Sequence, residues 1–385
     1  MAVLTLDEGR WKRAGFDSLA DALGGPEGIT RLVGGAVRDG LAGLPVQDID
    51  LATQLTPQEV IARLDAATIK SVPTGIAHGT VTAVLASGPV EITTLRRDVS
   101  TDGRRATIAF SDDWREDAAR RDFTINALYA DLQTGEVHDY FGGVADLGAG
   151  IVRFIGDPLT RIAEDHLRIL RFFRFHARFG KDAPEAAGLA ACTARANDLM
   201  ALSRERIADE LLKLLALPNP VGAVRTMLDA SILIPVLPEI GPDAHLQLQQ
   251  LIANEAANAV AGDPLRRLAA LLPADPEPVV AVATRLKLSN KARKRLRALA
   301  DRTPDDAATP RQLAYWQGRD IAIDRLLLGN HSIAPLRDWT PPIFPLSGKD
   351  IIARGVPPGP EVAIQLQFWE REWVDAGFPA TDKER

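Results

Sequence analysis

The chain has 385 residues, 46% apolar and 25% charged, the balance of an ordinary globular protein that is too long for one average core. No run approaches the ~18 apolar residues of a membrane span and the N-terminus carries no apolar signal core, so a cytoplasmic protein without membrane contact is expected. One cysteine, Cys192, excludes an internal disulfide framework, and the net charge of −6 weighs mildly against a polyanionic partner unless cations are concentrated locally.

Asp7 to Leu23 has helical spacing, with Trp11, Phe16, Leu19 and Leu23 on or near one face. Arg31 to Gly34 reads as a strand and Ala36 to Leu41 as a short helix. Gly34 and Gly35 let backbone approach a phosphate with no Cβ in the way, and a helix opening there aims N–H groups at the anion. Arg38 offers a planar fork of donors to a triphosphate. Ile49 to Ala52 is a second strand, and Asp48 and Asp50 flank one extended residue, so both carboxylates leave the same face. Two such carboxylates repel unless a cation sits between them, and beside phosphates Mg²⁺ is the usual one. Either element alone reads as a turn or a solvated acid pair; together within 23 residues they point to nucleotidyl transfer.

Thr56 and Pro57 start the next helix as a cap followed by Pro at its first position. Gly79 to Leu85 and Val90 to Leu95 form a hairpin about Ser87-Gly88-Pro89. Arg120 to Tyr129 (RRDFTINALY) supplies two cations, the Asp122 carboxylate and the Asn126 amide; it reads as a capped helix start or as a clamp for a triphosphate and ribose. After Asp157-Pro158 helical periods dominate, first in RIAEDHLRILRFFRFHARFG, which sets Arg168, Arg171, Arg174 and Arg178 on one face and Ile169, Leu170, Phe173 and Ala177 on the other. Eight Lys or Arg fall between Arg285 and Arg302, a candidate RNA-binding face or a solvated helix. Beyond Leu328 the chain reads as Pro-rich with isolated Trp residues. The fold class is α+β: a mixed α/β head over 1–155, a helical neck and body over 156–240, and a helical body and tail over 241–385.

Three strings together, GGAVRD with DID, RRDFTINA, and EDHLRILRFFRF, resemble the class II tRNA nucleotidyltransferases, the CCA-adding enzymes, with bacterial poly(A) polymerases as close relatives. SRERIADELLKLL matches the family's next helix motif, and the resemblance runs from about Arg31 to Glu239. It implies a nucleotidyltransferase head on a helical arm that adds C, C and A to tRNA from CTP and ATP with Mg²⁺. On this chain the family's metal pair falls on Asp48 and Asp50, its nucleotide-binding glycine and arginine on Gly35 and Arg38, and its second motif on Arg121 with Arg120, Asp122 and Asn126. The base-selecting element falls on Glu164, Asp165 and Arg168, with Arg171 and Arg174 facing phosphates or supporting the pair. Glu91 is the position of a third carboxylate, and His78 serves the site or a turn. The loop that switches C to A addition falls, by position, on Asp112 to Glu116. With six histidines, the metal phosphohydrolase domain of some relatives is not expected, nor is a stable protein partner.

With Asp165 and Arg168 one turn apart on a helix, a carboxylate accepting from an exocyclic amino group and a guanidinium donating to the ring suit cytosine and adenine; on a merely solvated face the same two residues form a surface ion pair. Guanine and uracil reverse that order and leave polar groups unpaired, at ~1–3 kcal/mol each. The rivals are a poly(A) polymerase, an enzyme adding only CC or only A, an idle RNA-binding module, and transfer to a small-molecule antibiotic.

Overall fold

The computed structural model describes residues 2–6, 14–46, 48–101 and 106–379; Trp11 and the expected helix start at Asp7 lie outside them. The chain forms two compact units, one of Met1–Leu202 with Ala230–Pro235, the other of Ser203–Asp229 with Val236–Arg385.

The first unit opens with α1 (Phe16–Ala22), β1 (Thr30–Val33), α2 (Gly35–Leu41), β2 (Asp50–Thr53) and α3 (Pro57–Ala66). Strands β3 (Ser71–Gly75), β4 (Thr80–Leu85) and β5 (Gly88–Thr94) follow, then the hairpin β6 (Arg96–Thr101) and β7 (Ala106–Phe110). After α4 (Trp114–Ala119), β8 (Leu128–Asp131), β9 (Val137–Asp139) and α5 (Gly143–Ala149) come the neck helices α6 (Pro158–Glu164), α7 (Arg168–Phe179) and α8 (Ala186–Ala194). Among the described residues the main sheet has the order β3-β4-β5-β2-β1-β8-β9. Only β2 and β5 in it run parallel, placing Asp50 opposite Glu91.

Strand alternation divides the core between the two faces of this sheet. Leu32, Leu51, Val81, Ile92 and Leu128 pack under Leu19, Val37, Val60 and Leu64. Val33, Ala52, Leu95 and Tyr129 point the other way, against Trp114 and Ile155. Caps explain several boundaries. Thr56 and Glu59 form a capping box on α3, and Asp157 caps α6 ahead of Pro158. Gly34 is the N-cap of α2 rather than the last strand residue, with φ +63° and ψ −117°, a conformation a side chain would strain.

Two expectations are corrected here. Asp165 and Arg168 are not a turn apart on one helix. The helix ends at Glu164, and Asp165 is extended (φ −152°, ψ 104°) with its carboxylate accepting from the Leu167 N–H at 3.1 Å. A short polar side chain that bonds to backbone two residues on favours such a break. Asp112 to Glu116 is a loop only in part: Asp112 and Asp113 are irregular, and Asp113 accepts from the N–H groups of Arg115 and Glu116 and starts α4.

The second unit contains α9 (Arg204–Leu215), α10 (Val221–Asp229), α11 (Ala244–Ala257), α12 (Pro264–Leu271), α13 (Pro276–Arg285), α14 (Asn290–Ala300), α15 (Pro310–Gln317), α16 (Arg319–Leu328), α17 (Gly348–Ala353) and α18 (Pro360–Asp375). Its core includes Leu251, Ala270, Leu326 and Leu336. Through that core runs an ion-pair chain in which Glu255 accepts from Arg266 and Arg267, and Arg266 reaches Asp324, which in turn holds Arg295. No helix among the described residues is long and apolar enough to cross a membrane.

Candidate active site

A cavity of about 480 Å³ opens in the first unit where α2, β2, the RRDFTIN segment and α7 meet. Gly35, Arg38, Asp50, Arg121, Asp122, Asn126, Asp165, Arg168 and Arg171 all line it, with Arg96, Arg120 and Phe175 beside them. Six arginines face three aspartates there, the charge balance a triphosphate requires. Five residues expected at the site, Asp48, His78, Glu91, Glu164 and Arg174, are not in this lining. Asp48 is exposed just ahead of β2, and Arg174 stacks on Phe175 with its guanidinium 4.5 Å from the ring centre.

The carboxylates gather at one end. Ile49 is buried between the outward Asp48 and Asp50, the alternation the sequence implies. Burial, then the Glu91 and Asp48 charges, push the Asp50 carboxyl up to about 6, against a pull from Arg121. Such crowding of like charge is what a bound cation relieves. Among the described residues no three acid, His or Cys side chains close into a ready-made metal cage.

Arg120 and Arg121 are held from below by Asp117, which is 1% exposed. Its Oδ1 accepts from Arg120 Nε at 2.8 Å, and its Oδ2 accepts from Arg121 Nη2 at 3.1 Å and from the Tyr129 hydroxyl at 2.6 Å. The Nη1 of Arg121 is thereby set against Gly34, 3.4 Å from where a Cβ would stand. Burial alone would raise the Asp117 carboxyl, but Arg121, Arg120 and the Tyr129 hydroxyl hold it at about 2. A carboxyl depressed in the folded state stabilises above its unfolded pKa, so this contribution, about 2 kcal/mol, is present above pH ~4 and lost as pH falls toward 2. The difference in unfolding free energy between this protein and Asp117→Asn is therefore expected to shrink over that window. A difference independent of pH would contradict it.

A second network crosses the floor. Arg38, 6% exposed, gives Nε and Nη2 to Asp39 Oδ1 at 2.8 and 2.7 Å and Nη1 to Asn126 Oδ1. Asn126 Nδ2 donates to Asp122 Oδ1 at 2.9 Å, and Asp122 Oδ2 accepts from Arg171 Nε at 2.7 Å. The fork of Arg38 is thus directed at protein oxygens, and burial lowers its pKa. At the neck, Arg168 Nη1 pairs with Glu164 Oε2 at 2.6 Å and donates to the Arg161 carbonyl, while its Nη2 donates to the Arg120 carbonyl. The expected surface pairing of Arg168 with Asp165 is replaced by this one to Glu164, because the helix break redirects Asp165.

The sequence reading missed Asp117, Tyr129, Asp39 and Arg96. Asp117 carried a signal, since it precedes Arg120 and Arg121 by three and four residues on a helical stretch. His78 is exposed, and its carbonyl accepts from Arg96 Nη1 at 2.5 Å, a turn role. The chain has a His-Asp dipeptide at His138-Asp139, in β9, where Asp139 accepts from the Gly143 and Val144 N–H groups at 2.9 Å and so caps α5.

The profile of the Poly A polymerase head domain matches residues 30–153, and that of the probable RNA and SrmB- binding site of polymerase A matches 184–243. The chain is 34% identical to the CCA tRNA nucleotidyltransferase 1, mitochondrial, of Mus musculus, over 94% of its own length and 87% of that protein. It is 32% identical to the CCA-adding enzyme of Limosilactobacillus fermentum, over 89% and 88%. The crystal structure of the Bacillus stearothermophilus CCA-adding enzyme in complex with CTP superposes with a TM-score of 0.73 at 27% identity, covering 94% of this chain and 93% of that one. A cavity of anchored arginines beside Asp50, on a sequence shared with these relatives over nearly its whole length, leads to one conclusion: the chain belongs to the family of CCA-adding tRNA nucleotidyltransferases.

Proposed function

We propose that this protein adds C, C and A to the 3′ end of tRNA, without a nucleic-acid template, from CTP and ATP with Mg²⁺. The observation that carries the reading is the cavity in which arginines fixed by protein partners face Asp50 across the Gly34–Gly35 turn. Because Arg120, Arg121, Arg168 and Arg171 are already paired, positive charge is set in place before a triphosphate arrives and little reorganisation remains. Asp48 and Asp50 would hold Mg²⁺, with Glu91 beside them; bound there, the ion would lower the pKa of the primer 3′-hydroxyl and offset charge at the α-phosphate. Mg²⁺ takes few protein carboxylates and completes its shell with phosphate and water, so no closed cage is needed.

Asp165 and Arg168 line the same cavity and supply the acceptor and donor that suit cytosine and adenine. Asn126 and Asp122 lie where the sugar would rest, and Arg174 supports the stack on Phe175. The reading assigns catalysis to the head (1–155), base choice and RNA binding to the neck and body (156–240), and tRNA contact also to the remainder (241–385), in a cytoplasmic enzyme without a stable protein partner. Given each of the four nucleoside triphosphates separately, with tRNA lacking its CCA end, the protein is expected to incorporate CTP, to use ATP once two C residues are present, and to stop when magnesium is chelated. UTP or GTP incorporation at a rate near that of CTP would contradict it.

For tRNA contact, the Arg285–Arg302 stretch narrows to a few side chains. Arg285 pairs with Glu239, Lys287 with Glu205, and Arg295 with Asp263 and Asp324. Lys291, Lys294 and Arg297 are exposed, and the first two border a cleft of about 1140 Å³ with Arg319 and Arg337. Replacing Lys291, Lys294 and Arg297 by Ala is expected to weaken tRNA binding roughly tenfold and to lower the salt slope by about 2 to 3. An unchanged slope would remove this face from the interface.

A further inference from the structure

One pair at the cavity's far edge has no part in the chemistry so far. Arg178 Nη2 donates to Asp39 Oδ2 at 2.9 Å, although the two residues are 139 apart in sequence. Asp39 Oδ1 holds Arg38, Arg38 holds Asn126, Asn126 holds Asp122, and Asp122 accepts from Arg171. Both ends of this chain lie on α7, because Arg171 and Arg178 are two turns apart on one face. Hydrogen bonds and helix backbone therefore close into a ring. Its inner side is packed by Phe175 and Phe179: the Arg38 guanidinium lies 5.1 and 4.5 Å from their ring centres, and those of Arg171 and Arg178 lie 5.2 and 5.1 Å from Phe175 and Phe179.

We propose that Asp39 and Arg178 are positioning residues for nucleotide binding: the pair fixes the far end of α7 on the Gly34–Arg38 turn, so that Asn126, Asp122 and Arg171 present one register to the nucleotide. Asp39 accepts on both oxygens, one from each side of the ring, and so joins Arg38 to α7 directly, whereas Asp122 reaches Arg38 only through Asn126. If Asp39 loses Arg178, the hydrogen-bonded link from Arg38 to α7 runs only through Asn126 and Asp122 to Arg171, and the far end of the helix rests on the contacts of Phe175 and Phe179 with Arg38. The Arg178 side chain is 35% exposed, so a pair of this kind adds little to stability. Displacement of a binding group by about 1 Å can nevertheless cost up to 100-fold in rate or affinity. That contrast separates positioning from bulk support.

The inference rests on the reading of this cavity as the nucleotide site. The test is steady-state kinetics of the full-length protein with CTP and ATP on tRNA primers, alongside thermal melting. Arg178→Met and Asp39→Asn are expected to raise the KM of both nucleotides about tenfold, with kcat within threefold, tRNA KM unchanged and, for Arg178→Met, Tm within about 2 °C. The double variant is expected to be no worse than the poorer single one, since both break one link, and Arg178→Lys to recover part of the affinity. Nucleotide KM within twofold of the parent in Arg178→Met, additive losses in the double variant, or no recovery with Lys overturns the inference. Should Asp39→Asn fail to fold, the half-exposed Arg178 carries the test alone. A parent protein that incorporates no nucleotide overturns the nucleotide reading and this inference with it, whereas an active parent with an indifferent Arg178→Met overturns the inference alone.

Discussion

Asp50→Asn is expected to lower nucleotide incorporation by on the order of 10³-fold or more while the fold survives. Asp50 stands at the end of β2 opposite Glu91, and its charge is opposed by burial and by the neighbouring Glu91 and Asp48 carboxylates. The substitution keeps the shape and removes the charge. It also relieves the repulsion that pushes the Asp50 carboxyl up to about 6, so the variant is expected to melt no lower than the parent in the absence of metal. Magnesium is expected to raise the melting temperature of the parent and to leave that of the variant nearly unchanged. Asp48→Ala is expected to abolish incorporation as well. Activity above a tenth of the parent in either variant, with an intact melting profile, would remove the metal role.

Asp117→Ala should produce the largest stability loss in the head. Its carboxylate is shared by Arg120, Arg121 and Tyr129, and removal leaves two guanidinium groups, 16% and 19% exposed, without their common acceptor. Breaking a buried pair from one side costs ~3–5 kcal/mol, and the residual exposure of both arginines places this case near the lower end. For a unit of this size that is roughly 6–12 °C in melting temperature. Nucleotide affinity is expected to fall as well, because Arg121 loses the contact that sets it against Gly34. Calorimetry showing a shift under 2 °C would mean that the three partners find other acceptors.

The features legible in the sequence are those written within a few residues. The Gly34–Gly35 turn, the Asp48/Asp50 alternation, the Thr56 cap and the β4–β5 hairpin follow from local rules, and the structure has each of them. The break at Asp165 was hidden because EDHLRILRFF keeps an unbroken helical period, while the decision falls to one carboxylate turning onto the Leu167 N–H. Helix α18 was hidden behind Pro360, which stands at its first turn, and behind a face so little buried that Val374 is its only fully buried residue. The Asp39–Arg178 link lay beyond local rules altogether, since it joins residues from different motifs. Charge counting found the basic stretch about α14 but not its pairing, because Glu239, Glu205, Asp263 and Asp324 come from outside that stretch.

The most direct measurement is primer extension on three tRNA transcripts, ending before CCA, after C and after CC, each with CTP alone, ATP alone and both. The account predicts two C additions with CTP alone on the shortest transcript, one A addition on the transcript ending in CC, and growth that stops at CCA with both nucleotides. A long A ladder would make the protein a poly(A) polymerase. Arrest at CC with both nucleotides present, or a requirement for a CC end, would make it half of a divided activity and contradict the proposed full addition.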